Sequence, residues 1–450
     1  MNNKMIYIVL FFIMTASLFV LMPFYHSNMN VEKREAAAFP SLKDDDGSIN
    51  MEFFDEMTDY FNDNFAFRQE LATYDALYKS YLFHSSNTSK VIIGSDDYLF
   101  FGGTINDYTG RDLMNERDLF CACRMLYLVN EYVSANGGHF VFTIVPNKNT
   151  LYPEFMPDRY IRTDRATNLD NLVSRLDGID YLDLYSVLSS YDEVLYHKWD
   201  SHWNNMGASI AYRALMQHIG LPFIDYSNEP YTITADHRGD LYDLIFPASD
   251  NMDENVTYER SHVYEYRNPV TSTEDLLIVT SSSEGQSSML MFRDSFGNAL
   301  IPFVADSIGN ATFSKGVPYN LDFVRSLTPE YVVIEIVERN LPDLIVGTPT
   351  MDAPLRPSDT VESAVPTVSD SVSITVEDKD TRYFITGTVD PDLTDDDSPV
   401  YIRVNTPDGP LVYEAFAQSE YSFGLYISKI QFFSIEVITS SNDILYSVST

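Results

Sequence analysis

Cysteine is nearly missing from this chain: its 450 residues hold two, Cys121 and Cys123, one residue apart. Thiols at that spacing on a helix point in different directions and do not readily bridge. There is therefore no disulfide framework and no zinc-type cysteine cluster, and the pair reads as buried structural thiols. Basic residues are scarce as well, with 29 Lys and Arg against 66 Asp and Glu, a formal net charge of −37. That balance excludes a nucleic-acid binder, which needs a basic footprint, and argues against docking on anionic lipid head groups. Also missing are a phosphate-cradling Gly run and an HExxH helix, so no nucleotide, flavin or metal motif is present, and neither cofactor nor metal is expected. What the chain has is apolar mass: 45% apolar and 14% aromatic residues, including 31 Tyr and 29 Phe. That is enough for a large core and rules out bulk disorder. The length suggests about three domains at roughly 150 residues each.

From Met5 to Tyr25 the chain reads MIYIVLFFIMTASLFVLMPFY, uncharged, with Thr15 and Ser17 as its polar interruptions. At about 1.5 Å per residue it reaches roughly 31 Å, enough to cross a bilayer core. Lys4 and the α-amino group precede it, which favours an inside N-terminus. No small-x-small cleavage site follows closely, and Ala36-Ala37-Ala38 lies too far downstream. The expectation is an uncleaved signal anchor over residues 1–25, rather than a cleaved signal, with the rest of the chain outside the cytoplasm. The absence of structural disulfides then fits a bacterial cell surface.

Three-to-four spacing of Phe53, Met57, Tyr60, Phe61, Leu71, Leu77, Tyr78 and Tyr81 predicts a helical segment over 51–81. Val91 to Gly94 and Tyr98 to Phe101 predict a hairpin. A helix over Asp118 to Ser134 stops at Asn136-Gly137-Gly138. Short apolar runs of strand length follow at His139 to Val145, Asp180 to Leu184, Met289 to Phe292 and Tyr331 to Val337, with helices from Gly207 and Gly297 between them. Buried strands alternating with helices mean an α/β three-layer domain with a largely parallel sheet, assigned to residues 26–346. Residues 347–370, with Pro349, Pro354, Pro357 and Pro366 among Thr, Ser and Asp, read as a linker. Period-two patterning at Val372, Ile374 and Val376, at Val400, Ile402 and Val404, and at Phe433, Ile435 and Val437 makes residues 371–450 a small β-sandwich.

Three stretches carry chemistry. In Arg293-Asp294-Ser295-Phe296-Gly297 a strand runs into a sharp turn and a helix, which exposes a Ser hydroxyl at the C-terminal edge of a parallel sheet beside free amides; alternatively, Ser295 caps the helix. In Asp200-Ser201-His202-Trp203 the imidazole of His202 is a general base and Asp200, two residues before it, is placed to orient the ring. The alternatives there are a metal pair of Asp200 and His202 or a structural turn. In Val145-Pro146-Asn147-Lys148-Asn149-Thr150-Leu151-Tyr152, at the end of another strand, Asn147 and Lys148 are either oxyanion donors or solvated loop residues, and Tyr152 lies on the same rim. Arg339, at the end of the last strand, binds a glycan or pairs with Glu338.

Taken together, EKREAAAFPSL (32–42), NDNFAFR (62–68), IIGSDDYLFFGG (92–103), VPNKNTLYPEFMP (145–157), DSHWNNMGA (200–208), RGDL (238–241), FRDSFGN (292–298) and EIVERNL (335–341) resemble the DHHW family and its relatives, the alginate O-acetyltransferase-like proteins with an SGNH-hydrolase-like domain. The resemblance implies a Ser295-His202-Asp200 triad, with Asp and His preceding Ser in the chain. Ser201 stands where the family name has His, and Arg293 where Gly is usual before Asp-Ser, which makes Arg293 a candidate for shaping the oxyanion pocket. The implied activity is O-acetyl transfer to a cell-surface or exported polysaccharide through an acyl-serine, with a membrane-bound O-acyltransferase as donor partner. The alternatives are a polysaccharide acetyl esterase and a non-catalytic glycan-binding scaffold.

Overall fold

The computed structural model describes residues 3–22, 24–25, 36–44 and 46–449. The EKRE that opens the first resemblance segment lies outside them. The apolar N-terminal run is a single helix, α1 (Asn3–Leu21). Among the described residues it is the one helix long and apolar enough to cross a membrane. The predicted helical segment that follows is two helices, α2 (Phe53–Asn64) and α3 (Arg68–Phe83). They are parted at Phe67, whose φ of 61° lies in the left-handed region that no helix interior tolerates.

Seven strands build the central sheet: β1 (His139–Val145), β2 (Tyr181–Leu182), β3 (Glu265–Tyr266), β4 (Leu277–Ser281), β5 (Ser288–Phe292), β6 (Asn310–Ser314) and β7 (Tyr331–Val337). Their order is β2-β1-β7-β5-β6-β4-β3. The first five run parallel, whereas β4 and β3 close one edge antiparallel. The sheet is thus mixed, and these two strands escaped the sequence reading because both are short, β4 being only partly buried and β3 exposed.

Side chains alternate across the sheet with period two. Phe140, Phe142, Ile144, Leu290, Phe292, Val332 and Ile334 face α4 (Glu116–Ala135). Val141, Val145, Met289, Met291, Val333 and Val337 face α5 (Asn205–His218) and α6 (Gly297–Ser307). Helices on both faces explain why the strands read as continuous apolar runs. Register aligns Val337 with Val145 and Ile334 with Phe292, so the loops that follow β1, β5 and β7 emerge along one edge. Ligands of parallel sheets bind at such an edge.

The C-terminal part is rich in strands. Nine of them form one sheet, in which Gly409–Ala417 pairs with Val400–Thr406 along its length and with Ser422–Ser428 at Phe416 and Ala417. Residues 347–370, expected to be a linker, are instead built into this sheet. Leu355–Arg356 pairs with Gly409–Ala417, Val365–Thr367 pairs with Ile444–Ser449, and Met351 and Val361 are buried. The prolines mislead there because they sit beside edge pairings that are only two or three residues long.

Nor does this part hang apart from the α/β unit. Ile402, Val404, Leu425 and Val437 belong to the same core as Leu126 and Val129 of α4. The fully buried Glu414 accepts from Arg124 Nε and Nη2 at 2.5 and 2.8 Å and from Arg356 Nε at 2.8 Å. Arg356 in turn holds Glu131 at 2.6 and 2.7 Å. Arg117 donates to the carbonyl of Ser398 at 2.5 Å. Cys121 is buried and Cys123 half-buried; both are free thiols, pushed up to about 11 by burial.

Candidate active site

The turn after β5 is shaped by Asp294, not by its serine. One Asp294 carboxylate oxygen accepts from the amide of Phe296 at 2.9 Å, the other from the amide of Val337 at 2.8 Å and from Asn340 Nδ2 at 3.1 Å. This ties the nucleophile turn to the end of β7. The turn is tight enough that a Cβ on Gly297 would lie 2.6 Å from that of Arg293. The residue before α6 is Phe296, and no side chain caps this helix, so the Ser295 hydroxyl is not engaged as a cap. The amides of Arg293, Asp294, Phe296 and Asn298 are all taken by protein acceptors, as is that of Gly297 by Glu335. For the Ser295 amide the described residues offer no partner.

The second loop precedes α5, which Asn204 caps by accepting from the amide of Gly207 at 3.0 Å. Trp203, buried, donates from Nε1 to the carbonyl of Phe296 at 3.0 Å and so stitches this loop to the serine turn. The result is a hydrogen-bonded line. His202 Nε2 lies 2.8 Å from Ser295 Oγ, and His202 Nδ1 lies 2.6 Å from Asp200 Oδ1. The three residues read from the sequence as one unit are therefore in one place.

Asp200 is buried and accepts more than one imidazole. Its Oδ1 also takes the amide of His202 at 2.9 Å, while its Oδ2 takes His237 Nε2 at 2.9 Å and the amide of Asp240 at 3.0 Å. Burial alone would raise its pKa, but these donors and the two imidazoles hold the carboxyl well below the usual range. His237 stacks flat on His197, with centroids 3.7 Å apart. Burial works to lower the His237 pKa, yet its bond to Asp200 and the surrounding carboxylates raise it overall. His197, buried against that neighbour, falls to about 3 and donates from Nδ1 to the carbonyl of Glu254 at 3.0 Å. Asp240 accepts from the Ser201 amide and hydroxyl at 2.9 Å each, and burial with the adjacent Asp200 charge raises its pKa.

Asp200, His202 and Asp240 have ligand-type atoms close enough together to hold a metal ion. Asp200 and His202 are, however, already engaged in the line to Ser295. His237, His197 and Asp240 were assigned no role from the sequence. The signal was the RGDL segment, where Gly239 approaches so closely that a Cβ would lie 2.5 Å from the carbonyl of Trp199.

A cleft of about 870 Å³ opens over this line. Ser295, His202 and Asp200 lie in its wall, with Arg238, Asp243, Glu274, Asn298, Tyr258 and His262 around them. The other candidates read from the sequence do not line it. Lys148 points behind the line and donates to the carbonyls of Leu99, Lys198 and Asp200 at 2.8, 2.9 and 3.1 Å; complete burial pulls it down to about 7. Asn147 is buried, its amide bonded to Glu338 at 2.8 Å. The Tyr152 hydroxyl accepts from the amide of Leu195 at 2.9 Å. Arg293 is buried beneath the turn, bonded to the carbonyls of Thr273 and Asp275 at 2.7 and 3.1 Å and to Asn298 Oδ1 at 2.5 Å. Arg339 does not pair with Glu338, which is buried against Asn147 and Thr150. Its guanidinium lies over the rings of Phe101 and Phe296, 5.5 and 5.1 Å from their centroids. His202 packs on that same Phe296 ring at 4.6 Å.

Residues 91–284 match the model of a family described as the SGNH hydrolase-like domain of the acetyltransferase AlgX. That stretch contains Asp200 and His202 and ends before Ser295. Over 186 residues the chain is 22% identical to a Pseudomonas putida protein described as "Probable alginate O-acetylase AlgJ", which covers 37% of this chain and 47% of that one. The chain thus spans about half the length of this relative. Among solved structures it is similar to a DHHW family protein from Eubacterium siraeum, at 16% identity and a TM-score of 0.43 over 57% of this chain and 93% of that one. It is likewise similar to Bacillus cereus PatB1 with a sulfonyl adduct, at 14% identity and a TM-score of 0.46 over 56% and 95%. The resemblance read from the sequence is borne out over residues 91–284, a stretch that holds four of the eight segments and matches an SGNH hydrolase-like domain.

Proposed function

We propose that this SGNH-like chain is an extracytoplasmic O-acetyltransferase for an exported or cell-surface polysaccharide. The observation that carries the proposal is the unbroken line Ser295 Oγ, His202 Nε2, His202 Nδ1, Asp200 Oδ1, with steps of 2.8 and 2.6 Å at the wall of a cleft. Ser295 attacks the carbonyl carbon of an acyl donor as its proton passes to His202 Nε2. The partnerless Ser295 amide is the oxyanion donor this turn offers. The leaving oxygen takes the proton back and departs, leaving an ester on Ser295. A sugar hydroxyl then gives its proton to His202, attacks that ester, and leaves acetylated while Ser295 recovers its proton. Asp200 keeps the imidazole in the tautomer this cycle needs.

In this reading α1 holds the protein to the membrane and a multipass membrane-bound O-acyltransferase supplies the acyl group from the far side. The SGNH-like unit spans 26–346, and the nine-stranded C-terminal sheet packs on it in place of the small β-sandwich expected for 371–450. Arg293, where the family usually has Gly, is bonded under the turn to the carbonyls of Thr273 and Asp275 and does not line the cleft that Ser295 lines. A serine-reactive phosphonate tests the chemistry: covalent labelling at Ser295 is expected, and folded protein that stays unlabelled overturns it. NMR of the purified polymer tests the direction. Deletion of the protein is expected to lower acetyl content, whereas a rise identifies an esterase.

A further inference from the structure

Helix α3 exposes apolar residues where a helix of a water-soluble domain would carry charge. Leu71, Tyr74, Tyr78, Tyr81 and Leu82 are exposed and fall at spacings of three, four, three and one, which places them on one stripe. The opposite face is engaged by the protein, where Ala76 is buried in a cluster with Leu241 and Ile245 of the short helix Asp240–Ile245. A stripe of three Tyr and two Leu left open on a helix marks an interaction surface.

Where that stripe begins identifies its occupant. The α2–α3 junction touches the outer end of α1. Phe61 meets Phe19 at 5.4 Å between ring centroids, Phe67 meets Tyr25 at 4.5 Å, and the amide of Ala66 donates to the carbonyl of Leu18 at 3.4 Å. The Tyr25 hydroxyl bonds to Glu70 in the first turn of α3. The stripe therefore starts at the level where the apolar span ends. Tyr, with an apolar ring and a polar tip, is the residue suited to the head-group layer of a bilayer.

We propose that α3 lies on the outer leaflet of the membrane that α1 crosses, with Leu71, Tyr74, Tyr78, Tyr81 and Leu82 seated between head groups and acyl chains. Apolar insertion drives this docking, so it needs no anionic lipid and is compatible with the acidic chain. The short helix that packs on Ala76 lines the cleft with Asp240, Asp243 and Leu244. The cleft is then held about one helix layer, roughly 10 Å, from the leaflet. The inference rests on the reading of α1 as a membrane anchor, together with the stripe and its contact with α1, and does not require the proposed chemistry.

The test uses the full chain in phosphatidylcholine vesicles, with plain or acyl-chain-brominated lipid. Tyr78→Trp places a reporter mid-stripe and Tyr81→Trp a second one near its end; native Trp199 and Trp203 are subtracted using the parent protein. The expected result is blue-shifted emission from both reporters and loss of that emission in brominated lipid. Equal emission in the two lipids overturns the proposal. If that equality comes with blue-shifted emission that depends on protein concentration, the stripe is covered by a second copy of the chain instead.

Discussion

His237 and His202 share one carboxylate: Asp200 accepts from the first at Oδ2, 2.9 Å away, and from the second at Oδ1, 2.6 Å away. The acid of the proposed triad is thus the hub of a larger polar cluster. With the amides of His202 and Asp240 it receives four N–H donors, so its position is set by the fold before any ligand arrives.

Ser295→Ala and His202→Ala are each expected to lower acyl transfer or ester hydrolysis by at least ~10³-fold with the fold intact, because either change removes the whole unit. Asp200→Asn is expected to impair stability as well as turnover. Its amide group presents donors where His237 and Asp240, or His202, also donate, and an unmet buried donor costs about 1–3 kcal/mol. Single-turnover kinetics and urea unfolding separate the two effects. A folded Ser295→Ala protein within a few-fold of wild type would refute the mechanism.

His237→Gln keeps a donor to Asp200 but cannot carry charge. Folding raises the His237 pKa above its ordinary value of about 6.5. The stabilisation from the charged pair is therefore complete below that value and is lost as pH climbs through the folded pKa. The unfolding midpoint of wild type is expected to exceed that of His237→Gln most at pH 5.5–6, and the gap should narrow by pH 9. A gap independent of pH would show that His237 is neutral throughout.

Lys148 runs the opposite way. Burial pulls its folded pKa down to about 7, so the unfolded chain binds more protons between that value and the ordinary Lys pKa of about 10.4. Relative to Lys148→Met, the wild type is expected to gain stability as pH rises from 7 to 10. Thermal melts across that range read the difference, and a flat one means that the three carbonyls keep the ammonium charged.

Glu414→Ala removes the buried acceptor that Arg124 and Arg356 share. Breaking such a pair is expected to cost about 3 kcal/mol in urea unfolding, although the residue is remote from the chemistry. Turnover of the folded fraction should be unchanged. Ending the chain near Asp352 strips the same face of α4 and is expected to give aggregated protein. A soluble, cooperative truncation would show that the α/β unit folds alone.

Much of this was legible in the sequence because the signals were local. The His139–Val145 and Tyr331–Val337 runs match their strands residue for residue, since strands covered on both faces are almost continuously apolar, with Thr143 and Glu335 as the buried polar exceptions. Asp200, His202 and Ser295 stood out as candidates because each lies shortly before a helix start, and the structure brings the three together. His237 was not, because nothing in a single His near a Gly-Asp pair says that it faces a carboxylate 37 residues earlier. The orientation of Asn147, Lys148 and Tyr152 was hidden for a related reason. They do reach the sheet edge, but the backbone amide of Asn147 turns to the Glu338 carboxylate, and Lys148 and Tyr152 turn to backbone groups away from the cleft, an orientation that spacing does not encode. The linker failed because Pro and Ser mark edge strands as readily as free chain.

The joint between α4 and the C-terminal strands sets a timetable. Arg117 reaches a carbonyl 281 residues further along, and Leu126 and Val129 complete their core with Val404 and Val437. A chain made from its N-terminus meets this demand late. The sheet that presents Ser295 is complete at Val337, about a hundred residues before Val437 of the strands that cover its outer helix. Until those strands emerge, the nascent protein carries an open apolar face and needs shelter, so maturation of the site waits on strands made well after it.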